Sequence, residues 1–365
     1  MKHLLSILLM CVVAFVPFVF MRPASDALHS APPHHRVRRA RIVAAGDLMQ
    51  HQPQLYAARL ADSVTYDFAP SFRYIAPYFR KSDLAIVNLE TTLSYEGPFT
   101  GYPAFRSPAS LVDAMYDMGV DVAALANNHC CDKGLRGIRS TTAILDSAKI
   151  LRVGVYPDTL DYTARNILYL NRRNIRFAIV NYTYGTNGIP IPRGAVVNLL
   201  DTVVMARDLS AINHDEVDCV IAVVHWGNEY ELQPNREQRR LAEFMRRKGV
   251  DIIIGSHPHV VQPAECTADG VTLYSLGNFV SNQRTAPRDG GLVATIDVEI
   301  VDSLSKDGQT IDSRTNYALR LTPVWVHLPD YAILPPAIGD TLPMMPDSRF
   351  RYNRFMRDVR TRLNL

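Results

Sequence analysis

At 365 residues, 47% of them hydrophobic and 21% charged, the chain has ordinary globular composition and enough length to bury a sizeable core. A formal net charge of +3, with no Lys/Arg stripe interleaved with aromatics, argues against nucleic acid as a partner. Five cysteines without a Cys-x-x-Cys pair exclude a zinc ribbon and a fold that depends on a disulfide framework.

In chain order, Met1-Lys2-His3 precedes the apolar run 4–20, which contains Pro17 and leads into the small residues of 23–27. Residues 1–30 therefore read as a signal peptide or an uncleaved N-terminal membrane anchor, which places the protein in the periplasm or cell envelope. A buried core helix would not be apolar on every face at the extreme terminus. Residues 31–40 read as a Pro/His-rich linker whose basic stretch is a solvated edge.

From 41 to 328, β-branched apolar runs alternate with helical patterns, the signature of an α/β fold. Strands are expected over 41–45, 84–89, 120–125, 152–155, 175–182, 217–225, 250–254, 271–276, 291–301 and 317–327. Helices are expected over 68–80, 110–118, 134–148, 201–213 and 235–248. Strand and helix alternate early and strands follow one another late, which points to two mixed sheets face to face with helices outside. Residues 171–174 read as a hairpin turn and 301–316 as a polar excursion. A C-terminal extension, 329–365, carries an amphipathic pattern and packs back onto the body.

Several apolar runs end in residues that can bind a metal: Asp47, Glu90, Asn128, His225 and the pair His257 and His259. Ligands in an α/β sheet gather at the carboxyl edges of the strands, so these groups can meet. Carboxylate, amide oxygen and imidazole together suit one or two ions of Mn, Fe or Zn better than Mg or Ca. Individually each residue has a plainer reading, as a helix cap, a turn or a surface pair. One mechanism explains all the strand ends, whereas the plainer readings need a separate accident at each. On an extended segment His257 and His259 point the same way, and Pro258 stiffens the backbone between them.

The motifs GDLM (46–49), NLE (88–90), ANNH (126–129), HWGNEY (225–230), GSHPHVVQP (255–263) and SLGNFV (275–280) occur in the order seen in the CapA (PGA_cap) family of poly-γ-glutamate capsule synthesis proteins, which the chain resembles over residues 41–301. That family is similar to the calcineurin-like metallophosphoesterases. The resemblance implies a four-layer α/β/β/α sandwich with two mixed sheets. It implies one metal held by Asp47, Glu90 and His259 and a second held by Glu90, Asn128, His225 and His257. His129 is implied as the residue that touches the substrate and protonates the leaving group, and Glu229 and Asn278 as substrate contacts. Two departures stand out. Met49 occupies the place of a phosphoesterase ligand histidine, for which His51 is a candidate substitute, and Cys130 follows His129 where an acidic residue is usual.

The function expected is that of an exported metal-dependent hydrolase acting on an anionic surface polymer or a phosphoester, in polymer synthesis, release or attachment. Two other readings are a non-catalytic polyanion-binding assembly protein and an envelope phosphatase or phosphodiesterase.

Overall fold

The β-branched runs pair into two mixed sheets. The computed structural model describes residues 34–305 and 307–365; the segment read as a signal or anchor lies outside them. The larger sheet has eight strands. Its parallel part is His34–Leu48, Leu84–Leu89, Val122–Ala124 and Leu151–Val153, and Gly290–Leu304, Thr310–His327 and Ala332–Leu334 continue it antiparallel. The short strand Asn278–Val280 also pairs with His34–Leu48. In the six-stranded sheet, Ile175–Thr183, Cys219–His225, Ile252–Ser256 and Gly270–Leu273 run parallel, with an antiparallel strand at each edge.

Alternation along the strands sorts the side chains into three cores. Ile42 and Ala44 of the larger sheet face Ile179, Ile221 and Ile254 of the smaller. On the opposite face Val43 and Ala45 meet Phe79, Met115 and Leu145 from the helices Ala76–Arg80, Ser110–Met118 and Gly134–Ser147. The outer face of the smaller sheet, with Val180 and Ala222, meets Met205 and Leu241 from Thr202–Ser210 and Arg236–Arg247. Helix, sheet, sheet, helix is the four-layer α/β/β/α order. The C-terminal helix Pro346–Leu363 sets Tyr352, Phe355, Met356 and Val359 into the core between the sheets.

Arg173 and Asn174 connect two paired strands with φ of 53° and 63°, the type I′ pattern that a two-residue hairpin favours. Two segments that read as irregular are strand instead. Pairing begins at His34, inside the expected linker, and runs through the expected polar excursion to Leu304 opposite Thr310. Charge hides this extension from a hydropathy reading, because its buried partners are ionic. Arg36 and Arg38 reach Asp302 at 2.9 and 3.0 Å, and Arg38 also reaches Asp218 beside the smaller sheet at 2.8 Å.

Burial would raise both carboxyls. Hydrogen bonds from Arg38, Ser313 and Arg36 nevertheless hold Asp302 at about 2, and those from Arg176 and Arg38 hold Asp218 at about 2. A depressed carboxyl stabilises the fold above its unfolded value of about 3.9 and stops doing so as pH falls through the folded value. Arg38→Ala is therefore expected to cost about 2 kcal/mol at neutral pH, since it leaves Asp302 buried with fewer donors. In urea titrations that deficit should shrink between about pH 4 and pH 2. A deficit constant across that window would assign the arginine to packing alone.

Candidate metal centre

The parallel strands of both sheets bring their carboxyl ends to one edge, and the backbone there is shaped to aim side chains inward. At Gly46 the pairing skips a residue: Ala45 sits opposite Val87 but Asp47 opposite Asn88. Such a bulge re-aims the side chain that follows it. Glycine is required, because a Cβ at position 46 would lie 2.0 Å from the carbonyl oxygen of Gly277. Between the sheets, Asn181 accepts from the Ala126 N–H at 2.6 Å and donates to the Val223 carbonyl at 3.1 Å. It ties the two layers together beneath the site. Nothing in its sequence surroundings marks it, since a lone Asn in an apolar strand has many uses.

Six expected residues, Asp47, Glu90, Asn128, His225, His257 and His259, are all buried here. Asp47 Oδ2 lies 2.8 Å from His259 Nδ1, and its Oδ1 accepts from Asn88 Nδ2 at 2.8 Å. Glu90 Oε1 stands 3.8 Å from His225 Nε2 and 4.0 Å from His259 Nε2. His225 Nε2 is 3.1 Å from Asn128 Oδ1.

His259 lies beside Asp47 and Glu90, and His225 beside Glu90, Asn128 and the His257 ring at 4.8 Å, so the expected contacts are present together with a further convergence. Ligand atoms of Asp47, Glu90 and His225 converge within 4.8 Å of one another, and those of Glu229, His257 and His259 do the same. Glu229, expected as a substrate contact, thus joins the histidine pair. His51 joins neither group. Its Nδ1 lies 3.2 Å from Gln54 Oε1 and 3.3 Å from the Asn282 backbone N, which donates to it. Asn278 spends its amide N–H groups on Gln283 at 3.1 Å and on the Arg288 carbonyl at 2.7 Å.

The histidine pair is not extended. His257 and His259 have φ of 96° and 58°, the left-handed region that costs a non-glycine residue of order 1 kcal/mol or more. Their rings lie 6.0 Å apart at 59°, set by that backbone and not by strand alternation. Strain of this kind persists where the surroundings over-determine it, commonly at functional sites.

Electrostatically the cluster lacks positive charge. Burial, then Asp47 beside it, raises the Glu90 carboxyl well above the usual range. Burial, then the neighbouring rings, lowers His225 well below its ordinary value and brings His257 to about 4. Glu90 Oε1 and His257 Nδ1 are buried without a hydrogen-bond partner. Orphaned buried acceptors and neutral imidazoles around a carboxylate pair are what a divalent cation satisfies, so the residues present fit a metal.

A family model described as bacterial capsule synthesis protein PGA_cap matches residues 41–283. The chain belongs to that family. Among its relatives, the capsule biosynthesis protein CapA of Bacillus anthracis is 31% identical over 72% of this chain, and the PGA biosynthesis protein CapA of Bacillus subtilis is 30% identical over 68%. Each match spans 65% of the relative's own length, slightly under two thirds. Among solved structures the chain is distantly similar to the calcineurin-like phosphoesterase YfkN of Bacillus subtilis, 14% identical with a TM-score of 0.45 over 77% of this chain and 91% of that one. For a 5′-nucleotidase precursor of Thermus thermophilus the values are 12%, 0.44, 88% and 59%.

In this PGA_cap chain His129 has an acidic partner after all, displaced along the loop. Asp132, three residues on, places Oδ2 2.8 Å from His129 Nδ1, with both side chains buried. The same oxygen accepts the Phe105 N–H at 2.6 Å, and the Phe105 ring packs edge-on against His129 at 4.5 Å. His129 Nε2 is left toward Asn187 Nδ2 at 3.5 Å. The signal was present in the sequence His129-Cys130-Cys131-Asp132, since a tight turn lets residues three apart meet. Met49 is buried and brings no ligand to either group.

Proposed function

We propose that this PGA_cap protein is an exported, metal-dependent hydrolase that acts on an anionic surface polymer of the poly-γ-glutamate class, during its synthesis, release or attachment. The observation that carries the reading is Glu90: a buried carboxylate with an unpartnered oxygen, 3.8 and 4.0 Å from two imidazoles. The names of the Bacillus relatives support the polymer.

Asp47, Glu90, Asn128, His225, His257 and His259, with Glu229, would hold one or two ions, for which Mn, Fe or Zn suits the donor set. When bound, such an ion supplies Lewis-acid polarisation of a phosphoryl or acyl centre and a nucleophilic water near neutral pH. The chain does the rest. Asp132 accepts the Nδ1 proton of His129 and fixes its ring, and its charge stabilises the doubly protonated ring, which would give its Nε2 proton to the departing group. Tyr184 packs against His257 at 4.4 Å with the rings tilted by 41° and walls the site on that side.

A specific observation favours a second reading, a non-catalytic polyanion-binding assembly protein: Met49 leaves one group with fewer ligands than a phosphoesterase has. Metal analysis of the purified protein, followed by turnover assays, separates the two readings. Turnover of γ-glutamyl polymer that rises with bound metal supports hydrolysis. A metal-loaded protein that binds polymer saturably but cleaves no phosphoester, anhydride or γ-glutamyl bond sinks it. Efficient turnover of small phosphomonoesters with polymer ignored would point to an envelope phosphatase instead.

A further inference from the structure

The mouth of the metal centre carries a cation that the reading above does not use. Arg288 lies on the loop between the strands Asn278–Val280 and Gly290–Leu304. Its guanidinium carbon sits 4.4 Å from the centre of the Tyr230 ring, and that ring is 6.2 Å from the ring of His259.

Both supports are fixed. The Arg288 carbonyl accepts from Asn278 Nδ2 at 2.7 Å, and Asn278 is the strand partner of Asp47. The Tyr230 N–H donates to the Pro258 carbonyl, between the two histidines, at 2.8 Å. Tyr230 itself has φ of 69°, a conformation held by its surroundings at a cost.

Stacking covers one face of a guanidinium, and the Tyr230 hydroxyl takes a hydrogen bond from Arg288, which leaves the rest of its rigid five-donor fork for an oxyanion. Arg288 is partly buried and pairs with no described carboxylate. Glu229, the acidic group nearest in sequence to Tyr230, borders the Tyr230 hydroxyl and also converges on His257 and His259. A preorganised, unpaired arginine beside a metal centre matches a substrate bearing a second negative group close to the reacting bond.

We propose that Arg288 is a specificity-determining residue that binds a substrate carboxylate adjacent to the bond acted on, so that the site prefers polymers with a negative group on each repeat. This rests on the polymer reading above. The carboxylate takes the open edge of the fork while the reacting centre lies over the histidine pair, and Tyr230 sets the spacing between them.

The test is a binding measurement. Short γ-linked glutamate oligomers are titrated calorimetrically into metal-loaded wild type, Arg288→Gln and Arg288→Lys, with metal content determined for each. In Arg288→Gln oligomer affinity should fall roughly ten-fold, with Arg288→Lys recovering part of the loss. Metal content should not change, and the uncharged amide analogue of the oligomer should bind all three equally. Where turnover is measurable, KM for the oligomer should rise while kcat holds. Unchanged oligomer affinity in Arg288→Gln overturns the proposal and leaves the polymer reading standing. Loss of metal together with oligomer binding makes Arg288 structural and also overturns it. A wild type that binds no oligomer removes the polymer reading, and the proposal with it.

Discussion

Glu90→Gln should weaken metal binding by more than roughly 100-fold, beyond the loss expected for a partner that only orients a ligand, and turnover should fall with it. Glu90 lies within reach of both His225 and His259, at 3.8 and 4.0 Å, so its loss removes a carboxylate that two imidazole ligands share. The metal-free variant, by contrast, should be at least as stable as metal-free wild type. A buried carboxylate with an unpartnered oxygen destabilises a fold that has no cation to offset it.

The pH dependence has a definite sign. Burial and Asp47 raise the Glu90 carboxyl well above its ordinary value. A carboxyl raised on folding favours the folded state at low pH, and that contribution is lost as pH rises from about 4.3 through the raised value. Metal-free wild type should show this slope, and Glu90→Gln should lack it. Metal uptake must also expel the Glu90 proton, so metal affinity should fall as pH is lowered through the same range. His257, brought to about 4 chiefly by burial, stays neutral over most of that range. Emission spectrometry for metal content, thermal unfolding with and without metal, and proton release during metal titration check these expectations. Wild-type metal content in Glu90→Gln would refute the assignment of Glu90 as a ligand.

How much of this site could be read from sequence depends on what kind of fact each part is. Asp47, Glu90, Asn128, His225 and the histidine pair were legible because each follows a run of β-branched residues, and parallel strands carry whatever follows them to one edge. The place of Glu229 was not legible. Whether it reaches His257 and His259 depends on how the loops after two neighbouring strands fold back, and no spacing along the chain encodes that. The histidine pair illustrates a local failure: alternation assumes extended backbone, whereas φ of 96° and 58° abandons it, and only tertiary contacts sustain those angles. The strand ends at His34 and Leu304 were missed for the opposite reason. Hydropathy treats Arg36, Arg38 and Asp302 as solvated, yet Asp302 is buried and paired with both arginines. Asp132 lay within reach of a sequence reading. The acidic partner of His129 stands three residues on, one turn away, and not next to it.

That partner leads to an effect second in size only to the loss of Glu90. Asp132→Asn should lower kcat by about 100-fold on substrates with poor leaving groups, near the low end of what a positioned acid or base contributes, while metal content holds. The carboxylate fixes the proton on His129 Nδ1 by accepting it at 2.8 Å. An asparagine can accept that proton too but carries no negative charge, so it no longer stabilises the doubly protonated ring that gives its Nε2 proton to the departing group. The Phe105 N–H, which donates to the same Asp132 oxygen at 2.6 Å, keeps an oxygen at that position in the variant, so the change is confined to the lost charge. His129→Ala should cost about as much or more, and adding Asp132→Asn to it should cost little further, since two residues that act as a unit are not additive. The leaving group separates this role from a merely structural one. A nitrophenolate departs without a proton, so both variants should lose little on nitrophenyl substrates and much on alkyl or γ-glutamyl ones. Equal losses across leaving groups would mean that the buried pair holds the 129–132 turn in shape and that the proton comes from elsewhere.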